Sequence, residues 1–278
     1  MSTFIPEVWS AEILESLKKN LVFGQPGVVN RDYEGEITMQ GDTVRIKSLS
    51  RPTIGTYTKN STTITPETLT DAQRALYIDQ SKYFAFEVDD IDKAQGTGGD
   101  LEVSLKEGAY ALRDTADQYI AGLYSGAQSA NAIGTVSVTT AALAYTQLRK
   151  LSVKLDEANV PNEGRWVVVP PWYYGLLLES DLFIRLDASG TTEGLRNGRV
   201  GDALGFNVLK SNNCVLVTGD DYAVMAGHGS AISYAEQIVK VEHYRPENAF
   251  SDAVKGLHVY GAKLVRPDAI ATVVASIT

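Results

Sequence analysis

Residues 100–125 contain the longest stretch of helical periodicity in the chain. Apolar side chains recur there at intervals of three, four and seven residues and form one stripe, comprising Leu101, Leu105, Leu112, Ala116, Ile120 and Leu123. Asp100 can cap the start, and Glu102 lies in the first turn, where a carboxylate favours the positive end of the helix dipole. At 1.5 Å per residue the segment would span about 39 Å. The pattern therefore predicts one long spine helix.

Two alternating runs precede this helix. Residues 42–48 place apolar and cationic side chains on opposite faces, and residues 75–88 keep one face apolar with Leu76, Ile78, Phe84, Phe86 and Val88. The connection between them is rich in threonine, which favours extended backbone, and a connection of this length without its own core is usually functional. The pattern predicts a long two-stranded protrusion that lies either over a site in the same chain, as a lid, or across an adjacent subunit.

Shorter patterns flank these elements. Near the amino terminus, Val8, Trp9, Ile13 and Leu17 fall at helical spacing, and glycine and proline then favour an extended arm. This segment either docks on its own domain or reaches a neighbour. After the spine, the patterns predict a strand at 135–139, a helix at 141–157, a buried strand at 167–169 and a helix that begins at Pro171. The last third reads as sheet.

Composition excludes several classes of protein. The 278 residues are 44% hydrophobic and carry a net charge of -9, so the chain can bury a large core, while its surface repels nucleic acid and anionic membranes. Cys214 is the only cysteine, which rules out an intramolecular disulfide. Glutamates interrupt the amino-terminal region where a signal peptide would be apolar, and no apolar run is long enough for a bilayer. We expect a soluble, non-secreted protein without membrane contact.

The residues that could carry chemistry do not converge on one site. His228, His243 and His258 fall on separate predicted elements outside any HExxH pattern, and neither a GxSxG elbow nor a phosphate-binding glycine loop is present. The acidic run at 88–92 lacks the spacing of a calcium loop. Trp172 and its two tyrosine neighbours could stack on bases, although core packing suits the acidic balance better. The sequence predicts no catalytic residue, no metal and no cofactor.

The order of these elements resembles the major capsid proteins of tailed bacteriophages. The segments that carry the resemblance are IPEVWSAEILESL at the start, GDTVRIKS followed by KYFAFEVDDIDKAQ, then NGRVGDALGFNVLKSNN, and GLHVYGAKLVRPDAI near the end. The resemblance implies an α+β fold with an N-terminal arm, an extended β-hairpin loop, a peripheral domain with a long spine helix, and an axial domain. The implied divisions are 1–35 for the arm, 36–90 for the loop and its base strands, 91–126 with 235–265 for the peripheral domain, and 127–234 with 266–278 for the axial domain.

The same resemblance implies a function. The chain would self-assemble through pentamers and hexamers into an icosahedral shell in the virion, built in the host cytoplasm and enclosing DNA without sequence-specific binding. A portal and a separate scaffolding protein are implied partners, since the arm starts at once without a scaffolding segment before it. The implied contacts between subunits fall on the arm, the loop and the exposed face of the spine helix, at Trp9, Arg51, Thr53, Tyr57, Lys59, Asn60, Thr65, Lys106, Arg113 and Asp117.

Several alternatives remain open from the sequence. Encapsulin compartments share the fold and would enclose a cargo enzyme, a decoration or tail subunit would form trimers or tubes, and an enzyme would use the hairpin as a lid. Some relatives join subunits through a lysine–asparagine isopeptide bond. Lys59 and Asn60 lie in the proposed loop, but the apolar pocket and carboxylate base that such a bond requires cannot be located in the sequence.

Overall fold

A computed structural model of the chain describes residues 22–32, 43–49, 52–59, 71–89, 100–180, 202–247 and 251–277. Within these ranges the chain forms two sheets, a separate hairpin and three α-helices. The strands are β1 (Thr43–Leu49), β2 (Asp71–Tyr77), β3 (Gln80–Asp89), β4 (Ala132–Ser137), β5 (Arg165–Val169), β6 (Asp202–Ala203), β7 (Phe206–Lys210), β8 (Leu216–Thr218), β9 (Asp221–His228), β10 (Ile232–Tyr244), β11 (Ser251–Leu264) and β12 (Ile270–Ser276). The helices are α1 (Asp100–Ala121), α2 (Ala141–Glu157) and α3 (Pro171–Leu178).

Helix α1 confirms the predicted spine, and a 3₁₀ turn at Gly122–Gly126 continues it. Around the middle of the helix, Leu112 is buried against Val241 and Val254 of β10 and β11. Farther along, Ile120 is buried in a second core that also contains residues of the larger sheet. One apolar stripe therefore serves two cores, because the helix is long enough to extend past the end of the first.

The smaller sheet is antiparallel and has the strand order β10-β11-β3. Strand β11 lies in its centre, where Val254 is opposite His243 on one side and Phe86 on the other. The predicted continuous run at 75–88 is wrong in one respect, since it divides into β2 and β3, which join different sheets. Ile78 lies at the division and is buried with Val259. This anchor fixes the point at which the hairpin leaves the body of the protein.

Strands β1 and β2 form the predicted hairpin. They pair antiparallel, from Thr43 opposite Tyr77 to Leu49 opposite Asp71, so residues 50–70 connect them. Of this connection the structure describes residues 52–59, which are exposed and belong to no strand. The rest of the threonine-rich connection, residues 50–51 and 60–70, lies outside the described residues.

The larger, seven-stranded sheet has the order β4-β12-β9-β5-β7-β6, with β8 paired to β9. Every residue of β5 is buried, and alternate side chains face two different cores. Trp166 and Val168 share a core with residues 22–29 and α1, whereas Val167 and Val169 share the other with α2 and α3. The sheet therefore separates two cores: an arm-side core, which contains Phe23, Val28 and Val29, and a helix-side core, which contains the buried side chains of α2 and α3.

The helices on this sheet match their predicted ranges. Thr140 caps α2 by accepting a hydrogen bond from the Leu143 amide at 3.3 Å, and the Tyr173 hydroxyl of α3 donates to the Ala144 carbonyl at 2.7 Å. Leu143, in the first turn of α2, is exposed, whereas Leu148, Leu151 and Leu155 are buried. The predicted strand at 135–139 lies slightly earlier, as β4.

Gly261→Ala is expected to lower the free energy of unfolding by about 1–3 kcal/mol or more. A Cβ at Gly261 would overlap the Tyr77 carbonyl oxygen and lie 3.1 Å from Cα of Ile78, and backbone atoms cannot move away as a flexible side chain can. Thermal unfolding of the unassembled subunit measures the loss. Gly175→Ala in α3 is the matched control, since nothing lies within 4 Å of its Cβ position. Equal behaviour of the two variants would contradict the close approach of β11 to the hairpin base.

Candidate assembly surfaces

The segment of residues 52–59 in the hairpin connection carries the most exposed large apolar side chain in the described part of the chain. Ile54 is 94% exposed and Tyr57 is 66% exposed. Two large apolar side chains on a segment without a core of its own have nothing to pack on within the described chain, which is typical of a surface that another molecule covers. Thr53, Tyr57 and Lys59 of the predicted contact set lie on this segment. Sequence reasoning passed over Ile54, although an isolated isoleucine in a threonine-rich run was a usable signal.

The predicted contacts on helix α1 have different surroundings. Lys106 is exposed, as expected. Arg113 is half-buried, with its guanidinium 4.1 Å from the centre of the Tyr110 ring one turn earlier. The four remaining predicted contacts, Trp9, Arg51, Asn60 and Thr65, lie outside the described residues. Five of the predicted residues thus lie on two surfaces, the segment of residues 52–59 and helix α1. Their role in contacts between subunits stays a prediction.

The prediction that Asp117 lies on the exposed face of α1 is wrong. Its side chain is buried, and Oδ1 accepts hydrogen bonds from the Val22 amide at 3.0 Å and the Phe23 amide at 2.7 Å. Oδ2 accepts from Nδ2 of Asn213 at 3.0 Å. Burial raises the pKa of Asp117, although these hydrogen bonds oppose the effect. Asp117 thus joins three parts of one chain. These are residues 22–32, called the arm-side segment below, the spine helix, and the loop after β7.

Asp117→Ala is expected to release residues 22–24 without unfolding the subunit. The buried amides of Val22 and Phe23 would lose their acceptor, which costs roughly 1–3 kcal/mol each, so their hydrogen exchange should accelerate about tenfold. Exchange measured by mass spectrometry tests this. Asp114→Ala is the control one turn earlier, because Asp114 contacts only Gln118 of the same helix at 2.8 Å among the contacts described for it. Unchanged exchange at residues 22–24 in the first variant would contradict the tether.

A second buried group fastens the arm-side segment to β10. Nη1 of Arg31 donates to Oε1 of Glu236 at 2.8 Å, and the Tyr234 hydroxyl donates to Oε2 at 2.8 Å. Arg31 also donates from Nε and Nη2 to the Gly24 carbonyl, at 3.1 and 2.7 Å, and its guanidinium lies 4.9 Å from the Tyr234 ring centre. Nε2 of His258 is 3.4 Å from Oε2, which is long for a hydrogen bond but close enough for an electrostatic contact.

The environment of Glu236 fixes its charge. Burial alone would raise the pKa of Glu236, but the contacts with His258, Arg31 and Tyr234 outweigh burial and lower the pKa to about 2. The carboxylate therefore stays ionised and holds the arginine in place. No sequence pattern pointed to this pair, since the two residues are 205 positions apart.

The other candidate groups hold no reactive constellation in the part of the chain that is described. His228 contacts Ser230 at 2.8 Å, His243 is exposed 3.9 Å from Asp252, and no group of three or more metal-ligating side chains is found among the described residues. Burial raises the pKa of the Cys214 thiol to about 12, which leaves it protonated. Among the described helices, none is both long and apolar enough to cross a membrane.

Comparison with known proteins identifies the architecture. A family model described as "Phage capsid protein" matches residues 73–273. A solved structure from Mycobacterium phage Che8 is 35% identical, covers 91% of this chain and 91% of its own, and superposes with a TM-score of 0.77. The capsid structure of the Cyanophage P-SCSP1u is 17% identical over 100% of this chain and 91% of its own, with a TM-score of 0.73. No protein with a curated description matches the chain.

A virus-like particle from Pyrococcus furiosus shares the fold at 15% identity, covering 96% of this chain and 98% of its own with a TM-score of 0.59. That likeness concerns the fold alone, so it does not favour the compartment alternative over a phage shell. The predicted α+β capsid fold is confirmed, and so is the predicted role in the capsid shell of a virion. Because the family model spans most of the chain and a phage protein matches it at 35% identity over nine-tenths of both lengths, the chain belongs to the phage capsid protein family.

Proposed function

We propose that the chain is the major capsid subunit and closes an icosahedral shell through pentamers and hexamers, with a structural role and no catalysis of its own. The observation that carries this proposal is the exposed pair Ile54 and Tyr57 on residues 52–59, which belong to no helix or strand. A neighbouring subunit that covered these side chains would bury apolar area worth about 25 cal/mol per Å². Several modest contacts of this kind add up to a strong shell through multivalency.

We also propose a division of labour within the subunit. Residues 1–35 act as the arm, 36–90 as the extended loop, 91–126 with 235–265 as the peripheral domain, and 127–234 with 266–278 as the axial domain. The two sheets support this division, since β10 and β11 pack on α1, while β4, β5, β7, β9 and β12 form the sheet that carries α2 and α3. Lys106 and Arg113 of α1 would then face the loop of a neighbour, together with Thr53, Tyr57 and Lys59 on that loop.

The partners follow from the same proposal. A separate scaffolding protein and a portal would guide closure, and the shell would enclose DNA without reading its sequence. The net charge of -9 supports weak binding between the shell and the enclosed DNA, because a strongly basic inner wall would retain the genome electrostatically.

Electron microscopy of the purified chain, expressed with and without its neighbouring genes, tests the proposal. Closed polyhedral shells are the expected result. Trimers or open tubes would support a decoration or tail subunit and would overturn the proposed role.

A further inference from the structure

A basic cleft lies between the edge strand β4 and the outer face of helix α2. It has a volume of ≈ 470 Å³, and its lining combines small apolar side chains with cations: Ala130, Ala132, Ile133, Arg149, Lys150, Val153 and Lys154. Neither Arg149 nor Lys150 has an ion pair within the described part of the chain, whereas Lys154 contacts Glu157 at 3.0 Å. Two cations that have no ion pair among the described residues thus lie beside an apolar floor, on a chain whose net charge is -9.

The lining indicates the chemistry of an occupant. Val153 is 47% exposed beside the cations, so a partner that covered the cleft would bury apolar area and neutralise positive charge together. A nucleic-acid backbone would meet the cations but would leave the apolar side chains without a match. An acidic peptide with large apolar side chains satisfies both halves of the lining, and charge complementarity would set its orientation.

The chain itself contains such a peptide outside the described residues. Residues 5–17, IPEVWSAEILESL, carry Glu7, Glu12 and Glu15 and contain no lysine, arginine or histidine. The same thirteen residues bring six large apolar side chains, including Trp9 and Ile13. We propose that residues 5–17 of a neighbouring copy occupy the cleft between β4 and α2.

The occupant belongs to a neighbouring copy because the cleft and the arm-side segment lie on opposite faces of the larger sheet. Phe23 and Val28 pack with Trp166 on one face, while α2 packs with Val167 on the other. Only residues 18–21 separate the proposed occupant from Val22, which Asp117 holds in place. The five Cα–Cα steps from Leu17 to Val22 span at most about 18 Å, less than the two layer spacings of ~10 Å each that lie between the layer of Phe23 and the layer of α2 on the other side of the sheet. A contact between unlike surfaces of successive copies is also the heterologous kind that closes rings.

Photo-cross-linking of the full chain tests the inference, which rests on the proposed assembly of copies. The photoreactive amino acid benzoylphenylalanine replaces Trp9, and unlabelled and ¹⁵N-labelled chains are mixed before irradiation. Mass spectrometry should find cross-links from position 9 to residues 130–154 that join light and heavy chains. The double variant R149E/K150E should lower their yield about tenfold, as expected when two exposed charge pairs become repulsive.

Matched variants separate the specific contact from general charge effects. K82E/K263E makes the same change in net charge at two exposed lysines of the smaller sheet and should leave the yield unchanged. Adding E12K/E15K to R149E/K150E should restore most of the cross-link. Cross-links confined to one chain, cross-links at another surface, or equal yields in the two charge-reversed variants would each overturn the inference.

Nucleic acid provides the competing outcome. If a DNA duplex displaces the cross-link and binds with a salt dependence that R149E/K150E removes, the cleft is a phosphate site and the inference falls. Microscopy scores shell formation separately. Absence of shells would count against the proposed function, whereas shells without a cross-link in the cleft would count only against the cleft assignment.

Discussion

A subunit that lacks residues 53–68 is expected to fold and to form no closed shells. The described ladder of β1 and β2 runs to Leu49 and Asp71, so the deletion leaves residues 50–52 and 69–70 to close the hairpin. A five-residue connection is an ordinary hairpin loop, and the buried anchors Leu76 and Ile78 lie beyond the cut. The deletion therefore removes the exposed Ile54 and Tyr57 without removing any of the buried side chains described above.

Electron microscopy and sedimentation of the purified variant measure this loss of assembly, and circular dichroism checks that the subunit remains folded. The double variant I54D/Y57D should have the same effect with the full loop length retained, because a carboxylate at each position would have to be desolvated in the contact. T56A, at an exposed position between them, is the control that should assemble normally. Closed shells of normal size from the deletion variant would refute the proposed role of the loop.

The sequence predicted those elements whose periodicity persisted over many residues. Helices α1 and α2 were found nearly in full, because a stripe such as Leu112, Ala116 and Ile120 cannot be accommodated in a strand. The division between β2 and β3 was missed for the converse reason. Ile78 and Phe84 are an even number of residues apart, so the alternating pattern continues without a break. The backbone nevertheless passes from one sheet to another between β2 and β3.

The contacts that fasten the arm-side segment could not be predicted, because each depends on partners far apart in sequence. Asp117 is separated by about 60° on the helix from Ile120, so it lies at the border of the apolar stripe. A charged residue at such a border is normally exposed to solvent. Its burial is stabilised by amides 94 and 95 residues earlier. The exposed loop could be predicted from the sequence, because a long stretch with few large apolar residues indicates a segment without a core of its own.

Replacement of Glu236 should produce the largest loss of subunit stability. Glu236→Ala removes the carboxylate that accepts from Nη1 of Arg31 and from the Tyr234 hydroxyl, and breaking a buried ion pair in this way costs about 3–5 kcal/mol. Glu242→Ala is the control on the same strand, because Glu242 contacts Lys255 at 2.7 Å near the surface, where an ion pair adds little to stability. Guanidinium unfolding of the unassembled subunits, followed by circular dichroism, measures both.

The pH dependence of stability gives a second measurement of the same group. The pKa of Glu236 is lowered from its ordinary 4.5 to about 2, so its ionised form stabilises the fold at pH values above 4.5. That contribution, roughly 3 kcal/mol, is lost as the pH falls from 4.5 to 2. Glu236→Gln should therefore be less stable at pH 7 and should lose less stability over this acidic range. Asp117 changes the pH dependence of stability in the opposite direction. Burial raises its pKa, so folding favours its protonated form and its contribution to stability decreases as the pH rises.

A double variant distinguishes an electrostatic requirement from a requirement for packing. Arg31→Met with Glu236→Leu removes both charges together, and paired apolar replacement of a buried ion pair is often close to neutral. We expect the double variant to recover most of the stability that Glu236→Ala loses and to show no acidic loss attributable to residue 236. If the double variant is as unstable as Glu236→Ala, the arginine makes its main contribution through the hydrogen bonds to the Gly24 carbonyl. The ion pair would then be secondary to the shape of the arm-side segment.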